Sequence, residues 1–538
     1  MKKVQNLFKN IFLFEPYQFQ KEVFEYFESG QQNFPLLIKA PTGSGKTEAI
    51  VAVFLNQFLE NNFNIAPRLI YVLPMRVLVN NVYGRIKKYA EKISHKISVN
   101  IQHGDVPNSP FFIDDIVITT LDQFVYGFAR ASQQVGYHID VPAGAIASSL
   151  VVFDEAHMYR DEFTFSIMKA LMEILYESKI PFVVMTATMP KSLEVSLFEN
   201  IKDYKIINGE DVIKADLKIN ICDEPLYLNN EVNTSKELLE KIKQKKTLIV
   251  LNQVKKAQMV YNEIKKRLNL NESQIVLLHS RFTKKDRERH EKTALSLIPH
   301  KKNGKIEIPE RVGIVVSTQV LEAGIDFSAE LLLTELAPAD CLVQRAGRCA
   351  RYNGEKGEMI IFRIDGDKEC KPYKKEHLDK TFRWLKENYN FNIKNFNEVQ
   401  KFVDILDYKA NDFEAADTLL DLYECVLYAD TKPENIQVRD SKPVTLIVAD
   451  LEGKKKEDIV IKDIYKINLR ENFIDVDIKV ALQLFNKDIL KYTLKYDMET
   501  NNWIVEEIKE IQPFGMYIIE KNFYDENIGI KNDTSYFI

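Results

Sequence analysis

Cysteine is scarce in this sequence and never paired. The 538 residues include five cysteines, with no CxxC among them, at Cys222, Cys341, Cys349, Cys370 and Cys425. Closely spaced pairs are typical of structural zinc sites, and an even set in a short chain is typical of secreted disulfide scaffolds. The sequence therefore indicates neither, and a reducing cytoplasm is the expected location.

Long apolar runs are also absent. No stretch of 18 or more apolar residues occurs, so no transmembrane span is expected. The N-terminus MKKVQNLFKNIFLFEPYQF is basic and then apolar, as in a signal peptide, but Asn10 and Glu15 interrupt it and no small-residue cleavage site follows. We expect no membrane partner.

An excess of positive charge is the third missing feature. Lys and Arg number 73 against 78 Asp and Glu, which gives a net charge of −5. A nucleic-acid partner would therefore have to be held by a local basic surface rather than by the overall charge.

A repeated pattern fills the chain from about residue 36 to 362. Short apolar runs rich in branched residues alternate with longer stretches of helical period, which predicts βαβ units around parallel sheets buried on both faces. A polar segment at about 204–240 divides two sets of five runs. We therefore predict an α/β fold with two consecutive parallel-sheet domains.

The rest of the chain has a different character. The polar segment HKKNGKIEIPE (300–310) predicts a surface loop or hairpin, and the Lys-, Asn- and Glu-rich stretch after 364 predicts helices. Alternating runs with turn residues between them predict a small β-rich C-terminal domain. The predicted domains are 1–210, 211–365, a helical linker over 366–420, and an accessory α+β domain over 421–538.

A glycine-rich segment, APTGSGKT (40–47), lies between an apolar run and a helical stretch. Gly43 and Gly45 would let successive backbone N–H groups face a phosphate, to which the helix adds its positive end. Lys46 is expected to reach the β and γ phosphates, and the Thr47 hydroxyl to bind Mg²⁺. The expected ATP-binding residues are Pro41, Thr42, Gly43, Ser44, Gly45, Lys46, Thr47 and Glu48. Ala40 stands where the general pattern has its first glycine, and a loop that only caps a helix is the alternative.

Two acids end the apolar run SLVVF, in DEAH (154–157). Asp154 is expected to hold Mg²⁺, and Glu155, a second metal-site candidate, to orient and activate the attacking water. Solvated carboxylates at a sheet edge are the alternative. The phosphate loop earlier in the chain favours the catalytic interpretation.

The third motif, QRAGRCAR (344–351), lies in the second predicted domain. Arg348 and Arg351 are three residues apart and would share a face if the segment is helical. Such a pair can stabilise charge on the γ-phosphate, and Gln344 joins them as a catalytic candidate. Because Lys46 belongs to the other domain, hydrolysis would require the two domains to close on one ATP.

With these motifs in order, residues 12–362 resemble superfamily 2 helicases, which have two RecA-like domains. By that resemblance Gln20 would read adenine, with Gln18 as the competing candidate, and Gly324 and Asp326 in STQVLEAGIDF would lie near the nucleotide. TAT (186–188) would link hydrolysis to domain movement. The nucleic-acid contacts that the resemblance and the residue types suggest are Pro74, Arg76, Thr119, Thr120, Asn252, Lys255, Arg281 and Thr318.

Three details are similar to the CRISPR-associated helicases of type I systems: DEAHMYRDE (154–162), LLHSRFTKKDRERHE (277–291), and TTLDQF with a long insert before the acidic box. That resemblance implies a prokaryotic, ATP- and Mg²⁺-dependent 3′→5′ DNA helicase. Its partners would be the single-stranded non-target DNA and a guide-RNA surveillance complex. A general superfamily 2 DNA or RNA helicase outside CRISPR defence is the alternative.

One departure from that family concerns its nuclease. Many members carry an N-terminal His-Asp metal nuclease, whereas here the helicase motifs begin within about twenty residues of Met1 and none of the eight histidines is followed by Asp. The resemblance therefore implies that DNA is cut by a separate HD nuclease subunit.

Overall fold

The structure, a computed structural model, describes most of the chain. The described residues are 2–30, 34–159, 161–209, 214–228, 231–302, 305–322, 326–408, 417, 420–421, 424, 442–453, 459–462, 464, 468–497, 499 and 502–531. The chain forms two compact units, both discontinuous in sequence. The first comprises residues 1–214 and 390–440, and the second comprises 215–389 and 441–538.

An eight-stranded sheet forms the centre of the first unit. Its order is β4-β3-β5-β2-β6-β7-β1-β8, and every strand except β4 runs parallel to its neighbours. The strands are β1 (Leu36–Lys39), β2 (Arg68–Leu73), β3 (Val99–His103), β4 (Val106–Pro107), β5 (Ile116–Thr120), β6 (Ser149–Phe153), β7 (Phe182–Thr186) and β8 (Lys205–Asn208). The sequence-predicted runs correspond to β1, β2, β5, β6 and β7.

Helices cover both faces of this sheet. They are α1 (Lys2–Phe12), α2 (Gln18–Glu28), α3 (Lys46–Glu60), α4 (Arg76–Glu91), α5 (Leu121–Phe128), α6 (Asp140–Ala147), α7 (Glu162–Glu177), α8 (Lys191–Leu197) and α14 (Phe396–Val403). Successive residues of each strand point to opposite faces, so Leu36 and Ile38 pack with α1 to α4, whereas Leu37 packs with α5 to α8. Both faces are buried, which is why these strands are apolar throughout.

The second unit contains a six-stranded parallel sheet of order β13-β16-β12-β17-β18-β9. Its strands are β9 (Asp216–Cys222), β12 (Thr247–Val250), β13 (Ile275–Leu278), β16 (Ile314–Ser317), β17 (Leu331–Glu335) and β18 (Lys356–Phe362). The helices of this part are α9 (Lys236–Gln244), α10 (Val254–Arg267), α11 (Lys284–Leu297), α12 (Ala339–Ala346) and α13 (Lys375–Glu387). The predicted α/β class with two parallel sheets is confirmed.

The polar segment that the sequence places between the domains is more structured than expected. It contains β8 and β9, which are edge strands of the first and second sheets. It also contains the small hairpin β10 (Tyr227–Leu228) and β11 (Glu231–Val232). Edge strands meet solvent on one side, so their polar composition hides them from a search for apolar runs. The predicted hairpin at 300–310 is present as β14 (His300–Lys302) and β15 (Lys305–Glu307).

The second unit also contains a mixed sheet near the C-terminus, in the order β22-β19-β25-β23-β24. The elements here are β19 (Pro443–Ala449), β20 (Leu451–Glu452), β21 (Val460–Ile461), β22 (Phe473–Asp477), α15 (Ile478–Asn486), β23 (Leu490–Asp497), β24 (Asn502–Glu507), β25 (Met516–Glu520), β26 (Tyr524–Asp525) and β27 (Gly529–Ile530). Val444 and Leu446 share one apolar core with Ile249 and Leu277 of the parallel sheet. The sequence predicts a separate domain over 421–538, whereas the described sheet packs within the second unit.

The hairpin of β26 and β27 fastens the end of the described chain to the loop after β13. His279 stacks on Phe282 with ring centroids 4.2 Å apart, and its Nε2 donates to the Ile528 carbonyl at 3.0 Å. Its Nδ1 accepts from the Arg281 backbone N–H at 3.1 Å. Burial lowers the pKa of His279 to about 3, so this ring is neutral at physiological pH.

Among the residues that the structure describes, no helix is long and apolar enough to cross a membrane. That finding concerns the described helices alone.

Gly529 is predicted to be indispensable to the hairpin contact. Its φ is +79°, and a Cβ there would lie 2.5 Å from the Arg281 carbonyl oxygen and 2.7 Å from the His279 ring. Gly529→Ala should therefore lower the free energy of unfolding by more than the roughly 1–2 kcal/mol that a left-handed backbone costs alone. The measurement is denaturant unfolding, with Gly354→Ala as the control, because Gly354 has a φ of +82° but no atom near its would-be Cβ. Equal losses in the two variants would contradict the prediction.

Candidate active site

The phosphate loop has the backbone that the sequence predicts. β1 ends at Lys39 and α3 begins at Lys46, and between them Gly43 and Gly45 have φ values of +82° and +88°. The Ser44 hydroxyl is buried and has no hydrogen-bond partner among the described residues. A hydroxyl in this situation is costly unless a ligand supplies a partner, so the loop fits a phosphate.

Lys46 is folded back over its own loop. Its ammonium group donates to the carbonyl oxygens of Ala40 at 2.8 Å and Pro41 at 3.2 Å, and the side chain is buried. These neutral acceptors hold the cation at the mouth of the loop. Phosphate oxygens carry more charge and would be stronger acceptors for the same three donors.

Gln20 braces this loop from α2. Its Oε1 accepts from the Tyr17 backbone N–H at 2.9 Å, and its Nε2 donates to the Gly45 carbonyl at 2.9 Å. The side chain is fully buried, whereas Gln18 is exposed and donates to Glu22. Of the two candidates, Gln20 is the one that touches the phosphate loop. Its adenine contact remains a prediction.

Ala40 stands where the general motif has its first glycine, and a glycine after the neighbouring strand packs against it. Gly209 follows β8, and its N–H donates to the Lys39 carbonyl. A Cβ on Gly209 would lie 2.3 Å from the Ala40 Cβ. Because Gly209 has no side chain, there is room for the methyl group of Ala40. The phosphate loop can therefore keep its conformation with alanine at this position.

Three buried hydroxyl and carboxyl groups form a chain beside the loop. The Thr47 hydroxyl lies 2.9 Å from the Tyr71 hydroxyl, which donates to Asp154 Oδ2 at 2.6 Å. All three residues are buried, Tyr71 completely. Hard oxygen donors of this kind suit Mg²⁺, so Thr47 and Asp154 fit the metal role that the sequence predicts.

The acidic box follows β6 directly. Burial, together with the neighbouring charge of Glu155, raises the pKa of Asp154 to about 6, although Lys46 and the Tyr71 hydrogen bond oppose that shift. Glu155 has a φ of +53°, which is unusual for a residue other than glycine. That backbone turns its carboxylate away from the strand, and the side chain is 22% exposed, so water can reach it.

The histidine of the box connects it to the TAT segment. His157 is buried, and its Nδ1 lies 3.0 Å from the Thr186 hydroxyl. Thr186 Oγ1 also accepts from the Thr188 backbone N–H at 3.2 Å. The sequence predicts that TAT transmits hydrolysis to movement, and this contact is a direct physical link between the two motifs.

The predicted nucleic-acid residues of the first unit lie in different environments. Thr119 is buried, and its hydroxyl donates to the Gln102 carbonyl, while Thr120 is also buried. Pro74 is buried at the end of β2, whereas Arg76 is exposed and forms an ion pair with Asp105 at 3.0 Å. Arg76 is thus the most accessible of these four candidates.

The segment that carries Arg348 and Arg351 is not helical, so the two arginines do not share a helix face. α12 ends at Ala346, before both residues, and Ala350 between them has a φ of +45°. Both side chains instead turn to the segment after β16. Arg348 donates to the Leu321 carbonyl at 3.1 Å and the Glu322 carbonyl at 2.9 Å, and Arg351 pairs with Asp326 at 2.5 Å.

Gln344 and Gly324 are the two remaining candidates of these motifs, and the structure describes only the first. Gln344 Oε1 and Nε2 are buried and have no hydrogen-bond partner among the described residues. That amide is available to a ligand as the structure stands. Gly324 lies outside the described residues.

Sequence reasoning missed Arg345, whose guanidinium donates hydrogen bonds to four different side chains of the second unit. Its guanidinium donates to Glu322 Oε1 at 2.8 Å, Thr334 Oγ1 at 2.8 Å, Asn252 Oδ1 at 2.9 Å and the Tyr373 hydroxyl at 3.0 Å. It is 1% exposed. The available signal was its place three residues after Leu342, on the apolar face of α12.

The remaining nucleic-acid candidates lie in the segments that follow strands of the second sheet, with Lys255 in the first turn of α10. Asn252 is buried, and its side-chain Nδ2 donates to the Leu336 carbonyl, so both ends of the amide are engaged within the unit. Thr318 is also buried, while Lys255 and Arg281 are half-buried. Burial of the Arg281 guanidinium lowers its pKa to about 10, so it keeps its positive charge at physiological pH.

Comparison with known families places these motifs together. Residues 17–195 match the DEAD/DEAH box helicase model, and residues 243–354 match the C-terminal model of the CRISPR-associated nuclease/helicase Cas3. The CRISPR-associated helicase Cas3 of Thermoproteus tenax is 27% identical over 495 residues, which cover 86% of this chain and 80% of the relative. The chain is thus similar to Cas3 helicases over most of its length. Both matched models are helicase models, and they indicate the ATP-dependent helicase class that the sequence predicts.

Other curated Cas3 relatives are longer, and the chain spans about half of their length, 54% and 47% in two of them. Among solved structures, T. fusca Cas3 with AMPPNP aligns with a TM-score of 0.69 and 18% identity, over 95% of this chain and 68% of that one. A chain of a CRISPR RNA-guided surveillance complex, pre-nicking, aligns with a TM-score of 0.62 and 19% identity, over 94% of this chain and 67% of that one. These similarities support the two-sheet fold.

Gly209→Ala should weaken nucleotide binding. The added methyl group would displace Ala40 and with it the phosphate loop, and overpacking of this kind costs about 1–3 kcal/mol. We expect the affinity for a fluorescent ATP analogue to fall by about tenfold. Gly144→Ala is the control, because its Cβ would meet no atom within 4 Å. Unchanged affinity in Gly209→Ala would show that the contact does not set the loop.

Proposed function

We propose that the chain is an ATP-driven motor that moves 3′→5′ on single-stranded DNA and unwinds target DNA in type I CRISPR interference. One observation carries this proposal: the phosphate loop and the acidic box meet around Tyr71 at the carboxyl edge of the first sheet, in a chain similar to Cas3 helicases. Crevices at that edge are where parallel α/β sheets bind their ligands.

The residues divide the chemistry among them. Lys46 would exchange its two loop carbonyls for phosphate oxygens, and the N–H groups around Gly43 and Gly45 would hold the β-phosphate. Thr47 and Asp154 would hold Mg²⁺, which when bound neutralises phosphate charge. Glu155, partly exposed on its left-handed backbone, would orient the attacking water.

The second unit would contribute the arginines to hydrolysis. Arg348 contacts Leu321 and Glu322, and Arg351 contacts Asp326, in the motif where the sequence predicts nucleotide contacts. Movement of either guanidinium would therefore shift the residues that it contacts. This arrangement supports a role that combines charge stabilisation with transmission of the nucleotide state.

The proposed partners follow from the family and from the surface residues. One structural neighbour belongs to a guide-RNA surveillance complex, which supports a similar partner for this chain. Arg76, exposed, and the charged Arg281 suit a DNA backbone, which is gripped without reading sequence. A separate HD nuclease subunit would cut the strand, and the setting would be a prokaryotic cytoplasm.

ATP hydrolysis should depend on single-stranded DNA. We expect DNA to stimulate turnover, single-stranded RNA to stimulate it less, and Lys46→Ala to reduce it to background because the γ-phosphate loses its cation. Steady-state phosphate release measures all three.

DNA recovered from reactions supplemented with Mn²⁺, Ni²⁺ or Co²⁺ should remain full length. Equal stimulation by RNA would refute the DNA assignment, and shortened DNA would refute the separate nuclease.

Arg348→Ala should separate binding from catalysis. Nucleotide affinity should stay within about twofold of the wild type, while kcat falls by about 1,000-fold or more, the usual effect of removing an arginine from phosphoryl transfer. Arg311→Ala is the control, since Arg311 is an exposed arginine just before β16. An unchanged kcat would remove Arg348 from the site.

A further inference from the structure

Tyr71 is an exception to the composition of its strand. β2 is a central strand of the parallel sheet, and Leu69 and Leu73 on the same face pack with α1 to α4 in an apolar core. A phenol hydroxyl at such a position must find partners, because a buried polar group without them is destabilising. Its partners are the hydroxyl of Thr47 and the carboxylate of Asp154, the two residues that fit the metal role.

The direction of the hydrogen bonds can be assigned from the number of protons. The Tyr71 hydroxyl has one proton, and it goes to Asp154 Oδ2 across the short 2.6 Å distance. Thr47 must therefore donate its own proton to the Tyr71 oxygen at 2.9 Å. The Thr47 lone pairs then point away from Tyr71. Threonine held in this way presents oxygen lone pairs, rather than a proton, to a cation.

Asp154 is fixed from two sides in the same arrangement. Its Oδ1 accepts from the Glu155 backbone N–H at 2.8 Å, and its Oδ2 accepts from Tyr71. Each carboxylate oxygen keeps one further lone pair. The backbone alone would leave Oδ2 free to rotate, so Tyr71 provides the second point that defines the carboxylate plane.

We propose that Tyr71 is a positioning residue of the ATP site, whose hydroxyl orients the Thr47 hydroxyl and the Asp154 carboxylate to receive Mg²⁺. The proposal rests on the ATP-site assignment made above. Tyr71 does not contact phosphate in this scheme. Its contribution is confined to the metal-dependent part of nucleotide binding, which distinguishes it from Lys46.

Tyr71→Phe tests this role with a single-atom change that preserves the ring packing. Binding of a fluorescent ADP analogue is titrated with Mg²⁺, after a first measurement in EDTA. We expect affinity in EDTA within twofold of the wild type and a half-saturating Mg²⁺ concentration raised by about tenfold, as for the loss of one hydrogen bond to a charged group. Tyr517→Phe is the control, because its hydroxyl also has a partner, Gln512, but lies in the C-terminal sheet.

A second variant distinguishes orientation from simple packing. Thr47→Ser keeps the hydroxyl but lacks the methyl group that restricts its rotation. If Tyr71 orients that hydroxyl, the effect of Tyr71→Phe on half-saturating Mg²⁺ should be larger in the Thr47→Ser background than in the wild type. Additive effects would mean that Tyr71 does not act through Thr47, and would overturn that half of the proposal.

The outcomes separate this inference from the proposed function. An unchanged Mg²⁺ requirement in Tyr71→Phe, with wild-type binding in EDTA, overturns the role of Tyr71 and leaves the ATP site intact. Wild-type protein that binds the analogue with no dependence on Mg²⁺ overturns the metal-specific role, and wild-type protein that does not bind the analogue at all overturns both. If Tyr71→Phe loses binding in EDTA as well, Tyr71 maintains the whole loop, and the metal-specific role is wrong.

Discussion

The negative charge of Asp154 is the constraint around which the first unit is organised. A carboxylate at the end of a buried strand loses its hydration, and the pKa of about 6 reflects that loss together with the charge of Glu155. Tyr71 and the Glu155 N–H replace part of the lost water. Lys46 lies close enough to oppose the shift. The phosphate loop, the central strand and the acidic box therefore depend on one another's geometry.

The second unit contains a buried cation, and its charge must also be compensated by neighbouring groups. Arg345 is surrounded by Glu322, Thr334, Asn252 and Tyr373, and Lys256 nearby is 1% exposed and pairs with Glu335 and Glu369. Removing one partner from such a cluster leaves a charge without compensation, which is strongly destabilising. The segments that the sequence assigns to separate motifs are thus parts of one electrostatic unit, and they should move together.

Local signals allowed much of the fold and of the ATP site to be predicted. Buried parallel strands are apolar on both faces, so β1, β2, β5, β6 and β7 were detectable, as was the loop with Gly43 and Gly45. What could not be predicted depends on three-dimensional neighbours. β8 and β9 are polar edge strands, and Tyr71 acquires its partners from α3 and from the end of β6. The turn after α12 follows from Ala350 and its left-handed backbone, which no residue pattern announces.

The β26–β27 hairpin has a consequence for how the second unit forms. His279 and Phe282 are covered by residues about 250 positions later in the chain, and α14 returns to the first unit, where Gln400 donates to the Met189 carbonyl. Both units thus require contacts that are very distant in sequence, and loop closure makes such contacts slow to form. During synthesis, each parallel sheet must wait for a later part of the chain, and apolar surface stays exposed in the interval. The order in which the chain is synthesised therefore sets when either unit becomes complete.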